Sequence, residues 1–317
     1  MLLKGVLPEA AVWHRKPDEP AVVDDKSLTE PTDAALDKYP QWFNYPFDPW
    51  TSYYYGYEYP SESLQDGCFP AEENDTFWRS FNDEFVAVKT KGYYAFSYTD
   101  KSMHEWQRNA ICKKEVEATR NNSWNAVHGI QLVWSPEYGT LMASTGWNAH
   151  TYAMTAALLQ DDTYTFPDYW KLKSEVNEET RTIELENPFL NGEATIRRTI
   201  IFHEDEIKVE LHINQLKDWT PKECFEQFPI IDKPNCTFQF EFNGVWSQEP
   251  TQSCTTFKAT NDKGAGFLIV FEEPVRLNWG TLQEAYEYAI KPLKLELGND
   301  FKQGQAIKLT YTIKPIR

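Results

Sequence analysis

The residue types best suited to chemistry are concentrated in one segment, NNSWNAVHGIQLVWSPEYGTLMASTGWNAHTYAM, which spans residues 121–154. Imidazole carries protons near neutral pH, amides hydrogen-bond hydroxyls and carboxylates, and indole presents a large apolar face on which a sugar ring can stack. Two of each type lie towards the ends of the segment: His128 and His150, Asn125 and Asn148, and Trp124 and Trp147. The segment predicts a site that binds a saccharide and moves a proton.

The elements that would position these residues are two predicted strands, GIQLVW and TLMAST, joined by a turn at Ser135–Gly139. If the strands pair as a hairpin, Trp124–His128 and Gly146–His150 emerge at the same edge. Register matters, because a slip of one residue moves every side chain to the opposite face. The alternative is a tryptophan-rich corner of the core whose histidines bond to backbone groups, and the sequence leaves both interpretations open.

A second aromatic cluster lies between Trp42 and Tyr59, where ten of eighteen residues are aromatic. Its candidate sugar-stacking residues are Trp50 and Tyr54. Residues 1–80 also hold nine of the nineteen prolines, which remove backbone donors and prevent continuous sheet. We therefore predict an irregular, Pro- and aromatic-rich arm over this range, ordered because its rings pack on the body, with an exposed sugar platform as the alternative.

Strong catalytic and metal-binding signatures are absent from the sequence. It contains no P-loop, no GxGxxG after a strand, no GxSxG and no HExxH, which removes the simplest nucleotide, hydride-transfer and serine-hydrolase interpretations. His203 fits a turn, and His212 fits the polar face of a strand. The five cysteines are odd in number and have no CxxC spacing, so neither a zinc site nor a disulfide framework is indicated. No cofactor can be named.

The charge balance bears on possible partners. A net charge of −17 argues against nucleic acid and against anionic membrane surfaces, since both require clustered Lys and Arg. The sequence has no apolar run near the roughly 18 residues of a membrane span and no recognisable signal peptide at its start. We expect no nucleic-acid or membrane partner, and a periplasmic or extracellular location if the chain is a mature form or a fragment.

Apolar and polar residues alternate with period two from about residue 84 onward. The clearest runs are 207–213, 238–242 and 307–313, each with one apolar and one polar face, which is typical of antiparallel sheets. Weaker runs occur at 84–90, 92–98, 129–134, 139–145, 181–186, 194–203, 266–271 and 293–297. The pattern predicts a mostly β protein with a large antiparallel sandwich domain over 81–317.

One or two short helices are predicted to interrupt the strands. In TLQEAYEYAI, the apolar residues fall on one helical face, Thr281 and Glu284 have the spacing of a capping box, and Pro292 would stop the helix. The range 102–120 is the second candidate.

Four stretches, FNDEFVAVKTKGYYAFSYTD, GIQLVWSPEYGTLMAST, ATIRRTIIFHEDEIKVELHI and FKQGQAIKLTYTIKP, occur in an order that resembles the β-sandwich part of heparinase II/III-type polysaccharide lyases. The chain is also similar to the wider galactose-mutarotase-like supersandwich group. The resemblance covers about residues 80–317 and implies a supersandwich fold.

The resemblance also implies an activity. Such lyases cleave acidic glycans by β-elimination, and a helical toroid before the sandwich supplies most of their catalytic residues, while the sandwich adds a histidine. Residues 1–80 have no room for a toroid, so the resemblance implies half a catalytic site and an upstream helical domain as partner. His150 is the first candidate for the sandwich histidine, and His128 is the second.

Three functions remain open from the sequence. The first is the sandwich part of a lyase-like enzyme that acts on an acidic polysaccharide or oligosaccharide, and the second is a non-catalytic carbohydrate-binding or scaffold protein. The third is a mutarotase-like epimerase with a histidine acid and a carboxylate base, for which Glu137 and Glu241 are candidates. Fold analogy does not choose among them.

Overall fold

The computed structural model describes residues 75–81, 85–99, 129–143, 154–162, 164–167, 172–285 and 288–317. Most of the N-terminal arm and the helix predicted over 102–120 lie outside these residues. The described part is almost entirely β, as predicted, with one single-turn 3-10 helix at Leu190–Gly192.

The strands form two antiparallel layers. Sheet A contains β1 (Phe77–Phe81), β2 (Phe85–Lys89), β3 (Tyr94–Tyr98), β4 (Gly129–Ser135), β5 (Gly139–Ala143), β6 (Thr155–Leu158), β7 (Tyr164–Thr165), β12 (Glu223–Asp232), β17 (Gln283–Ala285) and β18 (Tyr288–Gly298). Sheet B contains β8 (Lys173–Asn177), β9 (Thr182–Phe189), β10 (Ala194–Phe202), β11 (Ile207–Gln215), β13 (Thr237–Phe242), β14 (Val245–Ser247), β15 (Ser253–Thr260) and β19 (Ala306–Ile316). The long strand β16 (Gly266–Trp279) belongs to both sheets.

Strand order within each layer follows from the pairing. Strands β1 to β5 form a meander. Strand β12 then pairs with β5 and β6 on one edge and with β18 on the other. Sheet B runs β8-β9-β10-β11-β19-β16-β15-β13-β14.

Strand β16 crosses from one layer to the other. Its first half pairs with β19 and β15 in sheet B, and its last residues, Leu277–Trp279, pair with β18 in sheet A. The crossing spans Glu272–Arg276, because the pairing with β19 ends at Phe271 and the pairing with β15 ends at Arg276. Within it, Glu272–Pro274 are exposed, and the register against β15 shifts between Cys254 and Thr256. Proline fits here because the strand leaves one ladder before it joins the next.

The core lies between the two sheets and uses the alternating residues predicted from the sequence. The apolar residues of β11 are at most 1% exposed, and Phe240 of β13 is fully buried. Rings from opposite sheets meet directly, as with Phe228 of β12 and Tyr311 of β19, whose centroids are 5.0 Å apart. The strand predictions at 207–213, 238–242 and 307–313 are therefore confirmed.

The helix predicted at 281–290 is wrong. This stretch forms β17 and the start of β18, which pair with each other from Gln283↔Ile290 to Ala285↔Tyr288. Residues 289–298 also pair with β12, so the ladder overrides a helical pattern only ten residues long.

Pro292 does not stop an element but lies inside β18, opposite Pro229 of β12. On the side of its strand away from the other proline, each proline faces a gap between two neighbouring strands. Pro292 lies between the residues paired with β17 and those paired with β16, and Pro229 lies between the pairings with β5 and β6. No N–H donor is needed at either position, so both prolines fit inside the sheet.

The cysteines of the described residues are free thiols. Cys224 and Cys254 are buried and Cys236 is half-buried, which agrees with the absence of a disulfide framework in the sequence. No helix among the described residues is long and apolar enough to cross a membrane.

Candidate functional site

The residues predicted to form the site lie outside the described residues. They are Trp50, Tyr54, Trp124, Asn125, His128, Trp147, Asn148 and His150. Their roles stay predictions, and the structure bears on them only through the strands from which their segments continue.

The hairpin that was predicted to position them is confirmed. Strand β4 pairs with β5, and Ser135 lies opposite Gly139 at the turn. Gly139 has a φ of 83°, a left-handed conformation that glycine adopts without strain. The other end of the pair is Leu132↔Ala143. His128 directly precedes the first residue of β4, and Gly146–His150 follows β5 by a few residues.

The meander β1–β4 presents an aromatic surface on the side of sheet A that faces away from the core. Register aligns it in three rows: Phe77–Lys89–Tyr94–Trp134, Arg79–Ala87–Phe96–Leu132, and Phe81–Phe85–Tyr98–Gly129. The intervening residues, among them Val86, Val88, Ala95 and Val133, are buried in the core. We call the seven rings of these rows, with Arg79 and Lys89, the aromatic face.

Several rings of the aromatic face contact one another. Phe85 stacks on Phe96 with centroids 5.2 Å apart and lies 4.9 Å from Tyr98, and the rings of Phe77 and Tyr94 are 6.2 Å apart. Phe81 is 47% exposed and Trp134 is 37% exposed. These contacts form a supported platform with open rings at its margins.

The aromatic face also carries groups that can recognise an anion. Arg79 is exposed and Lys89 is half-buried. Lys89 pairs with Phe77 and Tyr94 of the neighbouring strands, whereas Arg79 pairs with Ala87. Burial raises the pKa of the Tyr94 phenol, so its hydroxyl stays protonated near neutral pH. Rings for stacking, two cations and a phenol donor together fit a sugar that bears a carboxylate or sulfate.

A second polar cluster lies between the two sheets and is buried. Arg198 of β10 donates from one nitrogen to both carboxylate oxygens of Glu226 on β12, at 2.6 and 2.8 Å, and to Thr155 of β6 at 2.7 Å. Thr155 and Tyr311 donate to the same carboxylate, at 2.5 and 3.2 Å. We call these four residues the buried polar centre.

Burial sets the protonation behaviour of this centre. It raises the pKa of the Glu226 carboxyl, against the opposing charge and hydrogen bond of Arg198, and it raises the pKa of Tyr311. Glu226 is fully buried and the Arg198 side chain is 5% exposed, so a polymer cannot reach either one. The centre ties β6 and β12 of sheet A to β10 and β19 of sheet B.

The remaining candidates from the sequence have ordinary surroundings. His203 is exposed in the turn after β10, where its carbonyl accepts a hydrogen bond from Tyr93, and His212 is half-buried on the polar side of β11. Glu137 is exposed in the turn that joins β4 to β5.

The described ranges contain no cluster of three His, Cys, Asp or Glu residues that could hold a metal ion. The aromatic face itself was missed in the sequence. Part of its signal was present, since YAFSY alternates large and small residues, but the rows appear only when four strands are placed in register.

The fold defines the protein as a large antiparallel β-sandwich. No family model matches the sequence, and no curated protein is similar to it in sequence. Similar solved structures include a heparinase III, at 12% identity and a TM-score of 0.43, covering 89% of this chain and 41% of that one. A heparan sulfate lyase from Pedobacter heparinus has 10% identity and a TM-score of 0.38, covering 90% and 42%.

A galactose mutarotase-like protein from Clostridium acetobutylicum has 9% identity and a TM-score of 0.43, covering 76% of this chain and 98% of that one. The groups that the sequence resembles thus recur among these structures. The chain spans about two fifths of the length of the two lyases. At these TM-scores the likenesses carry no argument about activity, which rests on the residues of the chain itself.

Proposed function

We propose that this chain binds an acidic polysaccharide on the aromatic face, as the sandwich part of a polysaccharide lyase-like protein. The observation that supports the proposal best is the alignment of seven aromatic rings with Arg79 and Lys89 on one side of sheet A. Stacking supplies affinity for the sugar rings, and the two cations select for carboxylate or sulfate groups. The chain as a whole has a net charge of −17, so two basic residues on one face are a local exception to its acidic character.

The catalytic step of the proposal is β-elimination. A general base removes the proton on the carbon beside the uronate carboxylate, the electron pair forms a double bond, and the glycosidic oxygen leaves with a proton from a general acid. His150 is proposed as the histidine that the sandwich contributes, with His128 second. In the sequence, His128 directly precedes Gly129, the last residue of one row of the aromatic face.

A non-catalytic carbohydrate-binding role is the second candidate. One observation favours it: within the described ranges, His212 lies on β11 and His203 follows β10, and neither belongs to the three rows of the aromatic face. The epimerase alternative has less support, because Glu137 is exposed in the β4–β5 turn, Glu241 lies on β13 of sheet B, and neither belongs to these rows.

Product analysis with the full chain separates lyase activity from binding alone. Lyase activity creates an unsaturated uronate, detected by its ultraviolet absorbance after incubation with uronic-acid-containing polysaccharides. His150→Ala should then abolish product formation while binding and melting temperature stay nearly unchanged. Binding without product would assign the non-catalytic role, and neither binding nor product would contradict the whole proposal.

A further inference from the structure

A groove lies at the corner where β16 leaves sheet B and joins sheet A. Ser253 of β15 pairs with Arg276, while the next residues of β16, Leu277–Trp279, pair with β18. Because β16 changes partner here, the space beside β15 stays unfilled. Two adjoining hollows result, with volumes of about 460 and 510 Å³, and both are lined by Arg276, Asn278 and Glu296.

The larger hollow is lined by two aromatic residues and two lysines. Phe225 is buried and Trp279 is half-buried, and the lysines are Lys222 and Lys294. The Lys294 ammonium lies 4.1 Å from the centre of the Phe225 ring and 3.5 Å from a carboxylate oxygen of Glu223. The hollow thus combines rings with a cation held in place, and its size falls in the range of small-molecule sites, roughly 300–1,000 Å³.

Arg276 is the distinctive charge of the groove. It is exposed, and no carboxylate of the described ranges forms an ion pair with it. The other charged groups have partners: Lys222 pairs with Asp162, Lys294 with Glu223, and Glu296 accepts from the Asn278 amide. A guanidinium in this position can bind a carboxylate or sulfate through two parallel hydrogen bonds.

The rest of the lining suits the hydroxyls of a sugar. Thr251, Gln252 and Ser253 line the smaller hollow and Asn299 lines the larger one, so amides and hydroxyls surround the arginine. We propose that this groove is a second subsite, separate from the aromatic face, for one uronate or sulfated sugar unit whose anionic group binds Arg276. The proposal rests on the proposed function, because it takes the same class of ligand.

Titration with monosaccharides tests binding to the groove separately from binding of long chains to the aromatic face. Calorimetric titrations of the full chain would use glucuronate, and glucose as the neutral control. Arg276→Gln should weaken glucuronate binding at least about tenfold, the loss expected when one charge-assisted contact is removed. Arg197→Gln is the matched control, since Arg197 is an exposed arginine on β10, paired with Glu184, and this change should leave binding unaltered.

A second variant covers the case in which Arg276→Gln disturbs folding. Ser253→Asp keeps the arginine and adds a carboxylate on the exposed residue that pairs with Arg276, which should compete with the ligand and lower glucuronate affinity by a similar factor. Equal binding of glucuronate and glucose, or unchanged binding in both variants, would overturn the groove proposal. Binding of long oligosaccharides to the parent and to Trp134→Ala tests the aromatic face separately. Either proposal can therefore be contradicted while the other holds.

Discussion

The buried polar centre and the aromatic face use similar chemistry in opposite ways. In the centre, Arg198 and Glu226 are sealed between the sheets, and Arg198 donates two hydrogen bonds to the Glu226 carboxylate. On the face, Arg79 and Trp134 are exposed and belong to neighbouring rows of the meander. A buried, hydrogen-bonded charge stabilises one packing of the two sheets, whereas an exposed charge beside aromatic rings can bind a ligand.

The largest expected effect comes from breaking the buried pair. Glu226→Gln leaves Arg198 buried without a counter-charge, and such losses cost about 3–5 kcal/mol of unfolding free energy. Denaturant unfolding monitored by tryptophan fluorescence would measure it. The exposed pair Lys173–Glu186, with a 2.9 Å separation, is the control, and Lys173→Ala should cost less than about 1 kcal/mol. Equal losses would show that burial does not distinguish the two pairs.

Replacing both residues of the buried pair tests whether the unpaired charge causes the loss of stability. Glu226→Leu combined with Arg198→Met should recover most of the stability lost in Glu226→Gln, because no unpaired charge remains.

Core and face aromatics should also differ in their effect on stability. Phe240→Ala removes a fully buried ring and should cost about 3–5 kcal/mol. Phe81→Ala removes a ring that is 47% exposed and should cost less than about 1 kcal/mol. Thermal and denaturant unfolding of the two variants would check the contrast. A loss of unfolding free energy below roughly 1 kcal/mol for Phe240→Ala would show that β13 does not belong to the core.

A smaller effect is expected on ligand affinity. Trp134→Ala should weaken binding of an acidic oligosaccharide about tenfold, or about 1.4 kcal/mol, with little change in melting temperature. Trp246 of β14 is the matched control, because it is 38% exposed against 37% for Trp134 but lies on sheet B. If Trp246→Ala weakened binding as much as Trp134→Ala, the ligand would not be specific to the aromatic face.

Salt should give the mildest change. Raising the NaCl concentration from about 50 to about 500 mM should weaken binding of the acidic oligosaccharide several-fold, because added ions screen exposed charges such as Arg79. A neutral oligosaccharide of the same length should show little salt dependence. Equal salt effects on both ligands would argue against recognition of the anionic groups.

The sequence predicted strands whose two faces differ, such as β11, and missed β12, whose two faces are alike. Strand β11 alternates cleanly and was predicted. Strand β12 was missed because both of its faces are buried and because it contains Glu226 and Pro229, which resemble loop residues until their partners across the sheets are known. The helix error at 281–290 has the same origin, since local spacing carries no information about pairing with β12.

The candidate site was predictable only in part. The turn at Ser135–Gly139 follows from local residues and is confirmed. The aromatic face requires the register of four strands, which includes an irregularity between Phe96 and Ser97. No local pattern specifies such a bulge, so the rows of rings could not be read from the chain.

The most direct test of the central claim is calorimetric titration of a uronic-acid-containing oligosaccharide into the full chain and into the double variant Arg79→Ala/Trp134→Ala. The double variant should bind at least about thirtyfold more weakly, since the losses at two separate positions approximately add. The double variant Arg197→Ala/Trp246→Ala, with its exposed arginine and tryptophan on sheet B, should bind like the parent. Equal affinity of the parent and the aromatic-face variant would contradict the claim that this face binds an acidic glycan.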